Sequence, residues 1–248
     1  MNSTSKLELL AIPGLPMIKA GDDLAALIAE GFSRAGLKPQ KGDVLALAQK
    51  IVSKAEGRSV ELAKVKPSQR AVALAAEVQK DPRLVELILS ESVRVVRSRP
   101  NVLIVEHQLG FVMANAGIDQ SNVGQEGHAL LLPVEPDASA ARLAARLGMA
   151  VVITDSFGRA WRRGTVGVAI GAAGLPALLD LRGQPDLFGR TLQVSITGFA
   201  DEIAAAASLV QGQAAEATPI VLVRGLSWSA PDAPGLALVR PPEHDLFR

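Results

Sequence analysis

The 248-residue chain has no cysteine and no tyrosine, and only 3% of its residues are aromatic. Without cysteine there is no disulfide, no thiolate zinc site and no thiol nucleophile, which fits a cytoplasmic chain. An excess of one charge is missing too. Lys and Arg number 26 against 25 Asp and Glu, so no overall field draws the chain to nucleic acid or to an acidic membrane surface. The histidines, His107, His128 and His244, are scattered without metal-ligand spacing. Any metal would then be a hard cation held by oxygens of Asp, Ser, Asn or Gln, which means magnesium or manganese rather than zinc. Long apolar runs are also absent. The opening MNSTSKLELLAIPG is interrupted by Glu8, and the longest uncharged stretch, Thr165 to Leu179, is broken by glycines and Pro176. It falls short of the roughly 20 apolar residues that span a bilayer. No P-loop is present and no GxGxxG leads from a strand into a helix, so a bound nucleotide would need another kind of pocket.

What the chain does have is a hydrophobic content of 48%, enough to bury a full core. No Ser/Gly linker, charge block or low-complexity tract divides it, so residues 1–248 read as a single domain. Its mixture of strand and helix signals indicates an α/β or mixed α+β fold with the strand order left open.

The stretch Leu109 to Gly124, LGFVMANAGIDQSNVG, organises the reading. Phe111, Val112 and Met113 have the bulk of a buried strand, and the run stops in a loop of Asn115, Gly117, Asp119, Gln120, Ser121, Asn122 and Gly124. Such residues either bond their own backbone in an ordinary turn or present oxygens to a ligand. A second apolar run, Ala150 to Ile153, discharges into TDSFGR, where Asp155 is either a helix cap or a site carboxylate. A third, VLALAQKIVSKAEG, turns polar halfway, which puts Gln49, Lys50, Ser53 and Lys54 near a strand end, where open α/β sheets place ligand contacts.

Elsewhere the pattern predicts a strand over Leu7 to Ile12 and a helix from the Asp22-Asp23 cap to about Ala35, with Leu24, Leu27, Ile28 and Gly31 on one face. Pro67-Ser68 opens a helical hairpin with stripes at Ala71, Leu74, Ala75 and Val78 and at Leu84, Val85, Ile88 and Leu89. Strands are expected at Val93 to Val96 and Val102 to Val105, with Arg94, Arg97 and Arg99 on a solvated edge or, alternatively, meeting phosphate, and another strand from Leu130. A helix is expected over Ser139 to Leu147. The glycine-rich segment after Thr165 suggests close backbone approach within a sheet or at a subunit contact. A strand over Thr191 to Ile196, a helix from its cap Asp201 to about Gln213, a buried strand over Pro219 to Val223 and a short strand over Leu236 to Val239 complete the chain.

Carboxylates at two strand ends, Asp119 and Asp155, with Ser156 and Asn122 beside them and Lys54 at a third, suit phosphates bridged by hard cations. The same parts would suit a phosphatase.

The chain also resembles the coenzyme F420-0:L-glutamate ligase family nearly end to end. The likeness lies in IPGLPMIKAGDDL, GDVLALAQKIVSKAEGR, KDPRLVELILSES, LGFVMANAGIDQSNVG, TDSFGRAWRRGTVGVAIG, DLRGQPDLFGR, FADEIAAAASLVQGQAAE and the closing DLFR. It is similar to the stand-alone form, without the nitroreductase-like domain fused to some actinobacterial members. The resemblance implies the family's own α/β fold, an intertwined homodimer, and GTP-driven, GDP-forming ligation of L-glutamate to F420-0 through an acyl phosphate. By the same resemblance the GTP contacts fall on Leu15, Pro16, Met17, Ile18, Gln49, Lys54 and Asn122, and on Gln211, Gly212, Gln213, Ala214, Ala215, Glu216, Ala217 and Thr218. The ligands of two divalent ions, Mg2+ or Mn2+, fall on Asp119, Asp155, Ser156 and Gln213. A monovalent ion such as K+ is left open. Asp119, Asp155 and Lys54 then carry the catalysis.

This sequence departs from the family pattern at Ala160, where proline is expected, at Gln211, where methionine is usual, and at Gln213, where glutamate can stand. Phe111, Phe157 and Trp161 either stack on the deazaflavin or belong to the core. The competing readings are an amide ligase for another carboxylate-bearing cofactor and a catalytically silent GTP-binding dimer.

Overall fold

The computed structural model describes residues 6–124 and 126–245. Strand β1 (Glu8–Ala11) leads into helix α1 (Leu24–Arg34). Asp23 caps α1 by accepting from Ala26 N, and Leu24, Ala25, Ile28, Gly31 and Phe32 form its buried stripe. Strand β2 (Val44–Ala48) runs without a turn into helix α2 (Gln49–Ala55). After β3 (Ser59–Glu61) comes the hairpin of α3 (Gln69–Val78) and α4 (Pro82–Ser90), whose caps are Ser68 and Asp81. Strands β4 (Ser92–Arg99), β5 (Val102–His107) and β6 (Val112–Ala114) form an antiparallel sheet. There follow β7 (His128–Leu130), α5 (Pro136–Leu147) and the long hairpin of β8 (Ala150–Arg159) and β9 (Arg162–Ala173). A small pair, β10 (Leu179–Asp180) and β11 (Ile196–Thr197), precedes α6 (Phe199–Gln211) and β12 (Ile220–Arg224).

The main sheet has the order β1-β12-β2-β8-β9, and within it β2 and β8 are the parallel neighbours. Side chains alternate across a strand, so both sheet faces must be covered if both are apolar. Leu45, Leu47, Val151, Ile153, Ile220 and Leu222 pack with α1, α2 and α5 on one face, whereas Val44, Ala46, Val152, Val221 and Val223 pack against α6 on the other. A separate core joins α3, α4 and the three-stranded sheet, with Leu103 and Val105 fully buried in it.

The glycines of β9 allow both helices to reach the sheet. A Cβ at Gly167 would lie 2.4 Å from the carbonyl oxygen of Ala204 in α6, and one at Gly171 would lie 2.5 Å from the carbonyl carbon of Pro136 in α5. The close backbone approach is therefore between helix and sheet, where the sequence suggested one within a sheet or at a subunit contact.

Several segments differ from expectation. Strand β8 continues through Asp155 to Arg159, so Asp155 is neither a helix cap nor at a strand end; the ladder to β9 holds these polar residues extended. Helix α6 starts at Phe199, and Asp201, in its first turn, accepts from Ala169 N of β9 at 2.8 Å instead of capping. Helix α5 begins earlier than Ser139, with Pro136 in its first turn. The strand expected over Thr191 to Ile196 shrinks to an isolated bridge at Thr191 and to β11, because among the described residues no strand pairs with Val194, which is 85% exposed. Leu236 to Val239 is a 3-10 turn over Gly235–Leu238, whose Gly235 and Leu236 amides donate to Asp137. Val112 points to solvent from an edge strand rather than into the core. Of the closing DLFR, residues 246–248 lie outside the described residues.

Candidate functional site

A cleft of about 740 Å³ opens where β2 ends, beside β8. Three short segments from distant parts of the chain wall it: 15–18, 119–124 and 211–219. Leu15, Pro16, Met17, Ile18, Gln49, Lys54, Asp119, Asn122, Asp155, Ser156 and every residue from Gln211 to Thr218 line it, so the structure gathers all of the expected site residues in one place. The aromatic residues are elsewhere. Phe111 and Phe157 pack edge to face in the core with ring centroids 5.8 Å apart, and Trp161, at φ 56°, sits at the exposed tip of the β8–β9 hairpin.

Asp119 is delivered by an unusual backbone. Asn115, Ala116 and Gly117 are all left-handed, with φ of 53°, 54° and 67°, after which Asp119 pairs with Leu130 through two backbone hydrogen bonds. A run of left-handed residues carries strain that surrounding packing must hold in place, and Ala116 is fully buried in the second core. One carboxylate oxygen of Asp119 accepts from Ser121 N at 2.6 Å and the other lies 2.5 Å from Lys50 Nζ. Burial pushes this carboxyl upward, but the hydrogen bonds from Lys50 and Ser121 outweigh it and hold Asp119 below the usual value.

Among the described residues Asp155 has no ion-pair partner and one hydrogen bond, from the adjacent Ser156 N at 2.8 Å. Burial, reinforced by the charge of Asp119, outweighs that bond and the more distant charge of Lys50 and pushes its carboxyl up to about 6. Lys54 donates to the Asn122 carbonyl at 2.6 Å, and burial together with the charge of Lys50 lowers its ammonium. The Gln49 side chain is buried and accepts from Ser53 Oγ within α2 at 2.8 Å.

The 212–218 loop is stapled at its base and tied to the sheet. Thr218 Oγ1 donates to Val210 O and Gln211 O, and Glu216 accepts from Ala214 N. The Gln211 amide turns toward the strands, accepting from Thr154 Oγ1 at 3.2 Å and reaching Pro219 O at 3.4 Å. Glutamine here therefore meets polar groups that a methionine would leave without that partner.

The sequence reading placed Lys50 near a strand end among candidate ligand contacts but gave it no role in the site. The missed signal is its spacing of four from Lys54, which puts both ammoniums on one face of a helix once α2 is recognised. Ser121 and Thr154 also line the cleft.

The donor set suits a hard cation. Two carboxylates, a hydroxyl and an amide are oxygen ligands of the magnesium and manganese type, and Asp155 is a half-buried carboxyl without an ion-pair partner among the described residues. Among the described residues no group of three or more His, Cys, Asp or Glu side chains could hold an ion. An ion on Asp119 and Asp155 would thus complete its shell with water or ligand oxygens, as magnesium on substrate phosphates does.

Carboxylates and lysines converge in this α/β protein at the end of a parallel strand pair, where open α/β sheets place their ligands. The F420-0:Gamma-glutamyl ligase family model matches residues 14–225, and the chain belongs to that family of ligases. It is 44% identical to the "Coenzyme F420:L-glutamate ligase" of Methanothermobacter thermautotrophicus, over 98% of this chain and 99% of that one. It is also 44% identical to the protein of that name from Methanopyrus kandleri, over the whole of both. With the one from Halobacterium salinarum it shares 46% identity over 90% of this chain and 88% of that one. Among the described residues no helix is long and apolar enough to cross a membrane.

Proposed function

We propose that this chain ligates L-glutamate to coenzyme F420-0 with GTP as the energy source, releasing GDP and phosphate. The observation that carries the reading is the convergence of Asp119, Asp155 and Lys54 from three separate segments on one cleft, in a chain of this ligase family.

A carboxylate and an amine do not condense at neutral pH, so the acceptor needs activation. Its terminal carboxylate oxygen attacks the γ-phosphorus of GTP, the bond to the β–γ bridging oxygen breaks, and GDP leaves an acyl phosphate. The glutamate amine then attacks the acyl carbon, loses its proton, and phosphate departs with the bonding electrons. Mg2+ or Mn2+, held by Asp119, Asp155, Ser156 and Gln213, would neutralise charge between the β- and γ-phosphates. Lys54 adds a point charge on the phosphates, and the segments 15–18, 119–124 and 211–218 close over the nucleotide and keep water from the acyl phosphate. The reading includes a homodimer. Leu187 and Phe188, which are 99% and 90% exposed, supply apolar surface of the kind a second copy covers.

Mass spectrometry of protein incubated with F420-0, L-glutamate, GTP and Mg2+ or Mn2+ tests this. Successive glutamate additions that need both GTP and metal are expected. Addition to a folate but not to F420-0 would point to another acceptor, and nucleotide binding with no product under any metal would point to a silent homologue.

A further inference from the structure

We propose that Lys50 is a positioning residue that makes divalent-ion binding wait for the nucleotide. The inference rests on the reading of the cleft as a GTP and metal site, and it concerns the order in which that site fills.

Lys50 stands in the first turn of α2 with its ammonium 2.5 Å from Asp119 Oδ2, 3.1 Å from Ser121 Oγ and 3.4 Å from Ser121 O. The other carboxylate oxygen of Asp119 is taken by Ser121 N. Both oxygens are therefore engaged, one by the loop and one by a lysine that serves as its counter-ion. The two side chains are 28% and 31% exposed, so solvent screens the pair less than it screens a surface ion pair. An ion arriving alone must share the Asp119 carboxylate with the ammonium or displace it, and either way two cations are left side by side. A polyphosphate changes that balance, because its oxygens accept hydrogen bonds from the Lys50 ammonium and free Asp119 to turn to the ion. Nucleotide and ion then bind with positive coupling, and by linkage each tightens the other by the same factor. Lys54 differs, since its ammonium holds a backbone carbonyl of Asn122 and no carboxylate is released when it moves.

The test is Mn2+ affinity of the folded protein by electron paramagnetic resonance, without and with GTP, with protein in excess over nucleotide. The wild type, Lys50→Met, Lys50→Arg and Lys54→Met are compared, with Lys50→Gln in reserve where the methionine variant fails to fold. Lys50→Met is expected to tighten Mn2+ by about tenfold in the absence of nucleotide and to shrink the effect of GTP, within the usual range of coupling factors. Lys50→Arg should keep the wild-type pattern. Unchanged or weaker Mn2+ binding by nucleotide-free Lys50→Met would overturn the proposal while leaving the GTP and metal reading in place. So would equal tightening by Lys54→Met, which would assign the effect to net charge. Failure of the wild type to bind Mn2+ even with GTP would remove the functional reading, and this inference with it.

Discussion

The side-chain amide of Asn122 donates to the carbonyl of Ala214 at 3.2 Å, a contact between residues 92 positions apart. It is a direct bond between the loop that carries Asp119 and the loop that follows α6. Because Lys54 holds the carbonyl of Asn122, one residue links helix α2 to both loops. Asn122 is left-handed, with φ 55°, a conformation asparagine adopts at lower cost than alanine and glycine adopts freely. Asn122→Gly therefore removes the amide without adding backbone strain. It should lower stability by about 1 kcal/mol and raise the KM for GTP more than it lowers kcat. Denaturant titration and steady-state kinetics check the two parts.

Asp155→Asn should stabilise the ion-free protein while ending metal-dependent turnover. The Asp155 carboxyl is raised from 3.8 to about 6, mainly by burial. The unfolded chain therefore gives up this proton more readily than the folded one. The resulting loss of stability is complete above about pH 6, fades as pH falls, and is gone below 3.8. It amounts to about 3 kcal/mol at most. A higher Tm for the variant at pH 8 but not at pH 4, measured in chelator, is the expected result.

His107 gives a pH effect of opposite sign. Its Nδ1 accepts from Leu109 N at 2.9 Å, its buried Nε2 has no hydrogen-bond partner among the described residues, and Glu91 is 3.8 Å away. Burial, with the nearby charge of Arg58, lowers it to about 4 from 6.5. The unfolded imidazole binds its proton first, so this stability is whole above about pH 6.5 and is lost as pH falls through about 4. The loss is about 3 kcal/mol at most. In His107→Asn the side-chain carbonyl can accept from Leu109 N, and the fall of the urea midpoint between pH 6.5 and 4 should flatten.

Gly167→Ala should displace α6. The added Cβ would lie 2.4 Å from Ala204 O and 2.9 Å from Ser208 Cβ, and neither has room to retreat without moving the helix. A loss of about 1–3 kcal/mol is expected, with weaker GTP binding because α6 ends in the 212–218 loop. Gly158→Ala, on the same hairpin with open space around it, is the control and should leave Tm unchanged.

Much of this fold was legible in the chain because its signals are local. Asp23 followed by an apolar stripe specifies α1, Ser68 and Asp81 specify the α3–α4 hairpin, and the runs at Val44 and Ile220 specify buried strands. The segments that failed lack such local determinants. The polar run from Asp155 to Arg159 is a strand because β9 lies beside it, and Asp201 serves Ala169 rather than its own helix because α6 crosses β9 at Gly167. The candidate site followed the same division. The pattern of apolar runs ending in polar loops picked out Asp119, Asp155 and Lys54, and resemblance to a ligase family added the residues from Gln211 to Thr218. That Lys50 pairs with Asp119 while Asp155 has no ion-pair partner among the described residues was decided only by tertiary structure. Capping, periodicity and turn chemistry act between near neighbours and can be read in order along the chain. The partner of a charge depends on which strands and loops end side by side, and that is set by long-range packing.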